Sequence, residues 1–233
     1  MSLDGKMTKY TALILLAVIT LTLLTQSVKA DPIKAWKIAS PSVVSVLPIW
    51  PGFDKPGFGA PPGSAPEGTG IVISTDGHVL TAAHVVTKAT EIKVRDIAGH
   101  IFKAKQIFNS PETDLAILQT DLKVAPIKLA TSIPEIGSQT CLISNAFGLD
   151  LSIACGVVSA MGRQDIGFNQ IEDFIQTDTA ANPGSSGGAL VNMDGALIGM
   201  MSGIFTKNTD TNVGVNFAIS KELIRKSTIN SLH

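Results

Sequence analysis

From residue 43 onward, short runs of apolar or alternating apolar and polar residues are separated by turn-forming residues. Asp76-Gly77 and Asp194-Gly195 are dipeptides typical of tight β-hairpin turns. Many short strands at near-regular spacing favour a sandwich or barrel over alternating strands and helices. The sequence therefore predicts an all-β protein whose strands include Val43–Leu47, Ile71–Ser74, His78–Thr81, Glu91–Arg95, Ile101–Phe108, Leu115–Gln119, Gln139–Ser144, Ile153–Val158, Ile171–Thr177, Ala189–Val191, Leu197–Gly203 and Gly214–Ala218.

Helices are predicted at the two ends of this region. One short helix is expected over Asp31–Ser40, and a closing helix over Ser220–Leu232, where Ser220 is the capping residue. Residues 48–70 are dense in proline and glycine and form a long loop, because proline lacks a backbone donor and glycine is costly to order. The three aromatic residues of this loop either form a contact surface or pack locally, and the sequence leaves both open.

The strands fall into two sets. Residues 125–137 have low strand propensity and contain Pro126 and Pro134, so they divide the chain there. The expected segments are 1–30 as a leader, 31–66 as a helix, strand and loop, 67–132 as the first set of strands, and 133–233 as the second set with the closing helix.

The first thirty residues have the pattern of a secretory signal peptide. Lys6 and Lys9 precede an apolar run over Ala12–Leu24, and a small residue, Ala30, precedes Asp31-Pro32. The alternative is a membrane anchor, but the run has 13 residues and a spanning helix needs ~20. We therefore expect an exported protein, periplasmic or secreted, that contacts a membrane only if the segment stays uncleaved.

Composition excludes some classes of function. Hydrophobic residues make up 45% of the chain, enough for a sizeable core. With 18 basic and 19 acidic residues the net charge is −1, so no nucleic-acid partner is expected. Cys141 and Cys155 are either a disulfide across one hairpin or two buried thiols, and two cysteines are too few for a zinc site.

Three segments carry candidate chemistry: TAAHVV, ETDLAILQ and DTAANPGSSGGALV. They contain His84, Asp114 and Ser186. A serine hydroxyl needs a base to take its proton, histidine suits this near neutral pH, and a buried carboxylate orients the imidazole. The glycines around Ser186 permit a tight turn whose N–H groups face an oxyanion, and the expected donors are Gly184 and Ser186.

Each piece alone has an ordinary structural explanation, so chain order matters. GSSGG also fits the G-x-S-x-G turn of α/β-hydrolases, but in those enzymes the histidine follows the serine. Only the terminal His233 follows Ser186. The order histidine, aspartate, serine is that of chymotrypsin-type enzymes. Asp96 and Asp121 are rival acids, but the first belongs to a predicted hairpin turn and the second follows a strand.

The segments GTGIVISTDGHVLTAAHVV, ETDLAIL, IQTDTAANPGSSGGALVNMDGALIGM and NVGVNFAIS resemble, in order, the signature segments of the HtrA/Deg serine proteases. The resemblance covers about Gly68 to Arg225. It implies two six-stranded antiparallel β-barrels with His84 as base, Asp114 as orienting acid and Ser186 as nucleophile in the cleft between them. It implies polypeptide substrates, and this mechanism needs no metal or organic cofactor.

The resemblance also implies a substrate site. Val213–Ala218, with Val215, Asn216 and Phe217, would pair with an extended peptide by β-augmentation. Ala180, six residues before Ser186, would lie at the base of the primary pocket, which predicts small or medium apolar side chains there. Ala181 and Asn216 depart from the usual residues, as does SNAFGL at 144–149, so the size and polarity of the pocket stay open.

Two further expectations concern assembly and activity. The chain ends about fifteen residues after its last predicted strand, which leaves no room for a PDZ domain. Members of the family commonly form trimers through aromatic residues near the start of the protease domain, and Trp36 and Trp50 are the candidates for a homotrimer here. The competing functions are a catalytically silent client-binding module and a protease that a partner must activate.

Overall fold

The computed structural model describes residues 31–51, 66–204 and 212–228. The predicted leader at 1–30 lies outside these ranges. Helix α1 (Pro32–Ala39) begins where the Asp31 carboxylate accepts the N–H groups of Ile33 at 3.0 Å and Lys34 at 3.2 Å. No helix within the described ranges has both the length and the apolar character to cross a membrane.

The first six strands form a closed antiparallel barrel in the order β1-β2-β3-β6-β5-β4. β1 pairs with both β2 and β4, so this barrel begins at Val43, ahead of the boundary expected at residue 67. A short helix, α2 (Ala83–Val86), follows β3 directly. The strands are β1 (Val43–Ile49), β2 (Gly68–Val72), β3 (His78–Ala82), β4 (Glu91–Arg95), β5 (Ile101–Ser110) and β6 (Leu115–Thr120).

The other six strands form a second closed barrel in the order β10-β11-β12-β9-β8-β7, so the predicted pair of six-stranded barrels is confirmed. Helix α3 (Lys221–Thr228) follows, and the Ser220 hydroxyl caps it by accepting the N–H of Leu223 at 3.1 Å. The strands are β7 (Gln139–Ser144), β8 (Ser152–Arg163), β9 (Phe174–Thr177), β10 (Ala189–Asn192), β11 (Leu197–Ile204) and β12 (Asn216–Ser220).

One cluster of buried apolar side chains extends from the first barrel into the second. It includes Leu80 and Ile117 from the first barrel and Ile143, Phe174 and Ile219 from the second, all fully buried. Burial of apolar surface is the main favourable term in folding. The shared cluster therefore holds the facing strands of the two barrels together. Side chains from the two barrels that meet there consequently keep fixed relative positions.

Cys141 and Cys155 face each other in the β7–β8 pair and form a disulfide, with Cα atoms 4.0 Å apart. The sequence had left this open. We expect the double variant Cys141→Ala/Cys155→Ala to lose about 3 kcal/mol of unfolding free energy, because the bridge closes a short loop in the unfolded chain. Urea titration of the variant and of the wild type measures the difference. The wild type in reductant should match the variant, and equal midpoints for all three would contradict the prediction.

Candidate active site

His84 lies where β3 ends and α2 begins. Ala82 and Ala83 are buried at this junction, and their small side chains let the chain turn tightly from strand to helix. The N–H of Ala83 donates to the Asp114 carbonyl at 3.1 Å. The His84 side chain is 53% exposed, so its ring faces open space while its backbone is anchored to the loop before β6.

Asp114 adopts a left-handed backbone conformation with φ +57°. This conformation is uncommon for a residue other than glycine, although aspartate tolerates it better than most. The side chain is only 8% exposed. Its Oδ1 accepts the backbone N–H of His84 at 2.9 Å, and His84 Nδ1 lies 3.0 Å from Oδ1 and 2.9 Å from Oδ2. The strained turn thus delivers a buried carboxylate to the inner side of the imidazole.

This contact selects a tautomer of His84. An ionised carboxylate can only accept hydrogen bonds, so the Nδ1 atom beside it carries the proton. The neutral ring then has an unprotonated Nε2, which is the atom that can accept a proton from a substrate or a nucleophile. Asp114 and His84 therefore form a carboxylate–imidazole pair that leaves Nε2 free to accept a proton.

Ser186 lies in a turn formed by residues 182–188, and two positions of this turn require glycine. Gly184 has φ +95° and Gly187 has φ +85°. A Cβ on Gly184 would lie 2.3 Å from the Asn145 carbonyl oxygen, and one on Gly187 would lie 1.9 Å from the Thr69 carbonyl oxygen. Both the backbone conformation and the space therefore require glycine.

Two N–H groups beside Ser186 have no acceptor among the described residues, namely those of Gly184 and Ser186. The carbonyl of Pro183 accepts the N–H of Phe147 at 2.6 Å, and the carbonyl of Ser185 accepts that of Gly188 at 2.9 Å. In a trans peptide the C=O and the following N–H point in opposite directions. The Gly184 N–H therefore points away from Phe147, and the Ser186 N–H points away from the Gly188 N–H.

Ser202 was missed by the sequence analysis. Its hydroxyl donates to Asp114 Oδ2 at 2.6 Å, and its carbonyl accepts the Ser186 hydroxyl at 3.4 Å. It lies at a register shift in β11, between Met201 and Gly203, and such bulges re-aim side chains beside active sites. The available signal was a serine within the otherwise apolar run LIGMMSGI. Within the described part of the chain, no hydrogen bond joins Ser186 directly to His84.

The expected substrate strand needs a correction. Asn216, Phe217 and Ala218 belong to β12, which pairs with β11 on one side and β9 on the other. A strand with both edges occupied cannot receive a peptide. Beyond Met201, β11 pairs only with β12 among the described residues. The free backbone edge beside Ser186 is therefore Ser202–Gly203.

The residues expected around the primary pocket are separated by the structure. Ala181 is fully buried, whereas Ala180 is exposed and does not line the cavity of about 220 Å³ beside Ser186. Asn216 is also fully buried, and its amide donates to the Thr177 carbonyl at 3.3 Å and the Thr179 carbonyl at 2.8 Å. Asn216 thus ties β12 to the segment that leads into the turn at residues 182–188. Val215 is half-buried.

The rival acids take no part in the site. Asp96 accepts backbone N–H groups of its own hairpin and pairs with His100 at 3.0 Å. Burial raises the pKa of Asp96, but the hydrogen bonds from His100 and Ala98 lower it below its ordinary value. Asp121 is exposed beyond β6.

Two closed six-stranded barrels, with a histidine–aspartate pair and a glycine-framed serine that are both hydrogen-bonded to Ser202, define the class of trypsin-like serine peptidases. The sequence model of one protein family, the trypsin-like peptidase domain, matches residues 68–200. The chain therefore belongs to that family. The resemblance to the HtrA and Deg proteases is confirmed by the relatives described next.

The chain is 41% identical to the periplasmic serine endoprotease DegP of Escherichia coli K12 over 165 residues, which are 69% of this chain and 35% of DegP. It is 40% identical over 167 residues to a probable periplasmic DegP-like serine endoprotease of Chlamydia muridarum, covering 71% of this chain and 33% of that protein. The chain thus spans about a third of the length of these curated relatives.

Solved structures agree with the fold. The HtrA-type protease AlgW with a tripeptide superposes with a TM-score of 0.75 at 37% identity, over 84% of this chain and 62% of AlgW. A serine endoprotease from Yersinia pestis gives a TM-score of 0.72 at 31% identity, over 88% of this chain and 68% of that one.

Proposed function

We propose that this chain is a serine endopeptidase that cleaves extended segments of polypeptides through an acyl-enzyme intermediate. The observation that carries the proposal is the His84–Asp114 pair at 2.9 Å, together with the N–H groups of Gly184 and Ser186, which have no acceptor within residues 31–51, 66–204 and 212–228. Base, nucleophile and anion-stabilising donors are the three components that acyl transfer from an amide requires.

The proposed reaction has two halves. His84 Nε2 takes the proton of the Ser186 hydroxyl while Oγ attacks the scissile carbonyl carbon, and the oxyanion accepts hydrogen bonds from Gly184 and Ser186. The imidazolium then gives its proton to the leaving amine as the carbon–nitrogen bond breaks, which leaves an ester on Ser186. A water attacks the ester by the same route and releases the acid. Asp114 stays ionised and stabilises the imidazolium.

Extended polypeptides are the proposed substrates because a free strand edge binds backbone, and only an extended chain presents its own backbone to it. We assign this edge to Ser202–Gly203. Small or medium apolar side chains are proposed next to the scissile bond, because the cavity beside Ser186 is lined by neutral residues: Asn182, Pro183, Ser185, Met201, Ser202 and Gly203.

Export to the periplasm or beyond is part of the proposal. It is supported by the leader pattern at 1–30, by the disulfide, which needs an oxidising compartment, and by the periplasmic location in the names of the relatives. A homotrimer remains a proposal taken from the family resemblance. Trp36 packs partly buried against the core, and Trp50 lines the cavity that contains His84.

A partner-activated enzyme is the second candidate. It is favoured by one observation: the Ser186 hydroxyl points to the Ser202 carbonyl at 3.4 Å rather than to the His84 ring. A peptide bound along Ser202–Gly203 would displace the Ser186 hydroxyl from the Ser202 carbonyl, and the hydroxyl would then turn to His84. Catalytic hydrogen bonds often shorten only in the complex with substrate.

A fluorophosphonate probe tests the proposal. It reacts only with a serine whose base and oxyanion donors are assembled, so we expect covalent labelling at Ser186 and none in Ser186→Ala. Peptide mapping distinguishes Ser186 from the adjacent Ser185, whose buried hydroxyl bonds to Ser144 instead. Labelling that needs added casein would favour the partner-activated form. No labelling under either condition would contradict an enzyme and favour a client-binding module.

A further inference from the structure

Thr69 connects the first barrel to the turn at residues 182–188 in the second barrel. It lies in β2 and is fully buried. Its N–H donates to the Ser186 carbonyl at 2.9 Å, and its hydroxyl donates to the Gly184 carbonyl at 2.7 Å. Its own carbonyl oxygen occupies the space where a side chain on Gly187 would have to lie. One residue therefore contacts three members of the turn.

The Thr69 hydroxyl is fixed from two sides. While donating to Gly184, it accepts the N–H of Asn145 at 2.9 Å. Asn145 is fully buried, and its side-chain amide donates to Glu67 Oε2 at 2.7 Å. A hydroxyl has one proton, so accepting from Asn145 leaves the donation to Gly184 as its defined direction. The hydrogen bond from the Thr69 hydroxyl to the Gly184 carbonyl therefore has a defined donor and acceptor.

The turn needs such a contact because of its glycines. Glycine reaches positive φ without steric cost, but it also reaches many other conformations. The Phe147 N–H holds the Pro183 carbonyl and so orients the peptide plane that contains the Gly184 N–H. Thr69 holds the next plane through the Gly184 carbonyl. With both planes held, the Gly184 N–H has one orientation.

We propose that Thr69 is a positioning residue for the oxyanion hole, in which its hydroxyl holds the Gly184 peptide so that the Gly184 N–H faces the scissile carbonyl. This assignment rests on the proposed peptidase function. Thr69 is fully buried and has no surface with which to contact a substrate, so its loss acts on the transition state through Gly184. Substrate binding along Ser202–Gly203 does not depend on it.

The test compares three variants with the wild-type chain. Thr69→Val keeps the shape and removes the hydroxyl, whereas Thr69→Ser keeps the hydroxyl. Thr120→Val is the matched control: Thr120 is also buried, and its hydroxyl likewise donates to a carbonyl, Gly77 at 2.8 Å, and accepts an N–H, Leu122 at 3.1 Å. It lies at the end of β6, away from the turn. Each protein is measured for melting temperature, for kcat and KM with fluorescein-labelled casein, and for the rate of fluorophosphonate labelling.

We expect Thr69→Val to lose on the order of 10- to 100-fold in kcat with KM unchanged, because small misplacement of an oxyanion donor has effects of this size. Its labelling rate should fall in parallel, and Thr69→Ser should restore both. Thr120→Val should lose a similar amount of melting temperature and keep the wild-type kcat. If Thr69→Val is unfolded at the assay temperature, Thr69→Ala is measured in its place.

Two results would overturn the assignment. If Thr69→Val and Thr120→Val lower kcat equally, or if Thr69→Val keeps the wild-type labelling rate, the role of Thr69 is structural only. Wild-type protein that labels at Ser186 keeps the proposed function intact in either case. Wild-type protein that never labels contradicts the proposed function itself and removes the basis of the assignment.

Discussion

Replacing Ser186 with alanine should lower kcat for casein cleavage by roughly a million-fold, the scale seen when a triad nucleophile is removed from a serine protease. Without the hydroxyl no acyl-enzyme forms, and His84 has no proton to take from a nucleophile. Substrate binding should persist, because the Ser202–Gly203 edge and the neutral cavity stay in place. Steady-state cleavage of labelled casein measures the rate, and a pull-down of intact casein measures the binding.

The control for this prediction is a surface serine. Ser132 is exposed between the two barrels, so Ser132→Ala purified in parallel should cleave casein at the wild-type rate. Activity of Ser186→Ala close to that of Ser132→Ala would place the cleavage on another residue or on a contaminating protease. The peptidase proposal for Ser186 would then be abandoned.

Local pattern was sufficient for most strands. Glu91–Arg95 and Gln139–Ser144 are predicted and observed with identical bounds, because alternating side chains and bordering turn residues are properties of neighbouring positions. β9 is shorter than predicted and begins at Phe174 instead of Ile171.

The cause of that difference is Glu172. Its buried carboxylate accepts the N–H groups of Ile166, Gly167, Phe168 and Asn169 at 2.6–3.0 Å. Burial raises the pKa of Glu172, but these four donors lower it below its ordinary value. The carboxylate therefore folds the preceding residues back as a loop, and no pattern of apolar positions indicates this.

The candidate reactive side chains are recognisable from local sequence, whereas the free strand edge beside Ser186 is not. His84, Asp114 and Ser186 stand out by residue type, chain order and surrounding glycines, all of which can be read locally. Ser202 and the free edge of β11 depend on barrel closure, since the register shift decides which strand ends without a partner. Asn216–Ala218 has an apolar, glycine-flanked sequence similar to that of the end of β11. Only its pairing with strands on both sides shows that it has no free edge for a peptide.

The second large effect concerns Asp114. Asp114→Asn should lower kcat about 10⁴-fold with little change in KM. Asparagine has one oxygen that accepts and one nitrogen that donates. The oxygen is needed by the His84 backbone N–H, now 2.9 Å from Oδ1, so the amide nitrogen faces the ring at Nδ1. The ring must then accept there and carry its proton on Nε2, where it cannot take one from Ser186.

Ser202→Ala separates this tautomer effect from a general weakening of the site. It removes the 2.6 Å donor to Asp114 Oδ2 but leaves the carboxylate charged and His84 in the same tautomer, so its loss in kcat should be much smaller than that of Asp114→Asn. Initial rates with labelled casein at neutral pH compare the two variants, and near-equal melting temperatures exclude unfolding as the cause. Equal losses in kcat would mean that Asp114 acts by packing and hydrogen-bond satisfaction, because only the asparagine variant changes which nitrogen of His84 is free to accept a proton.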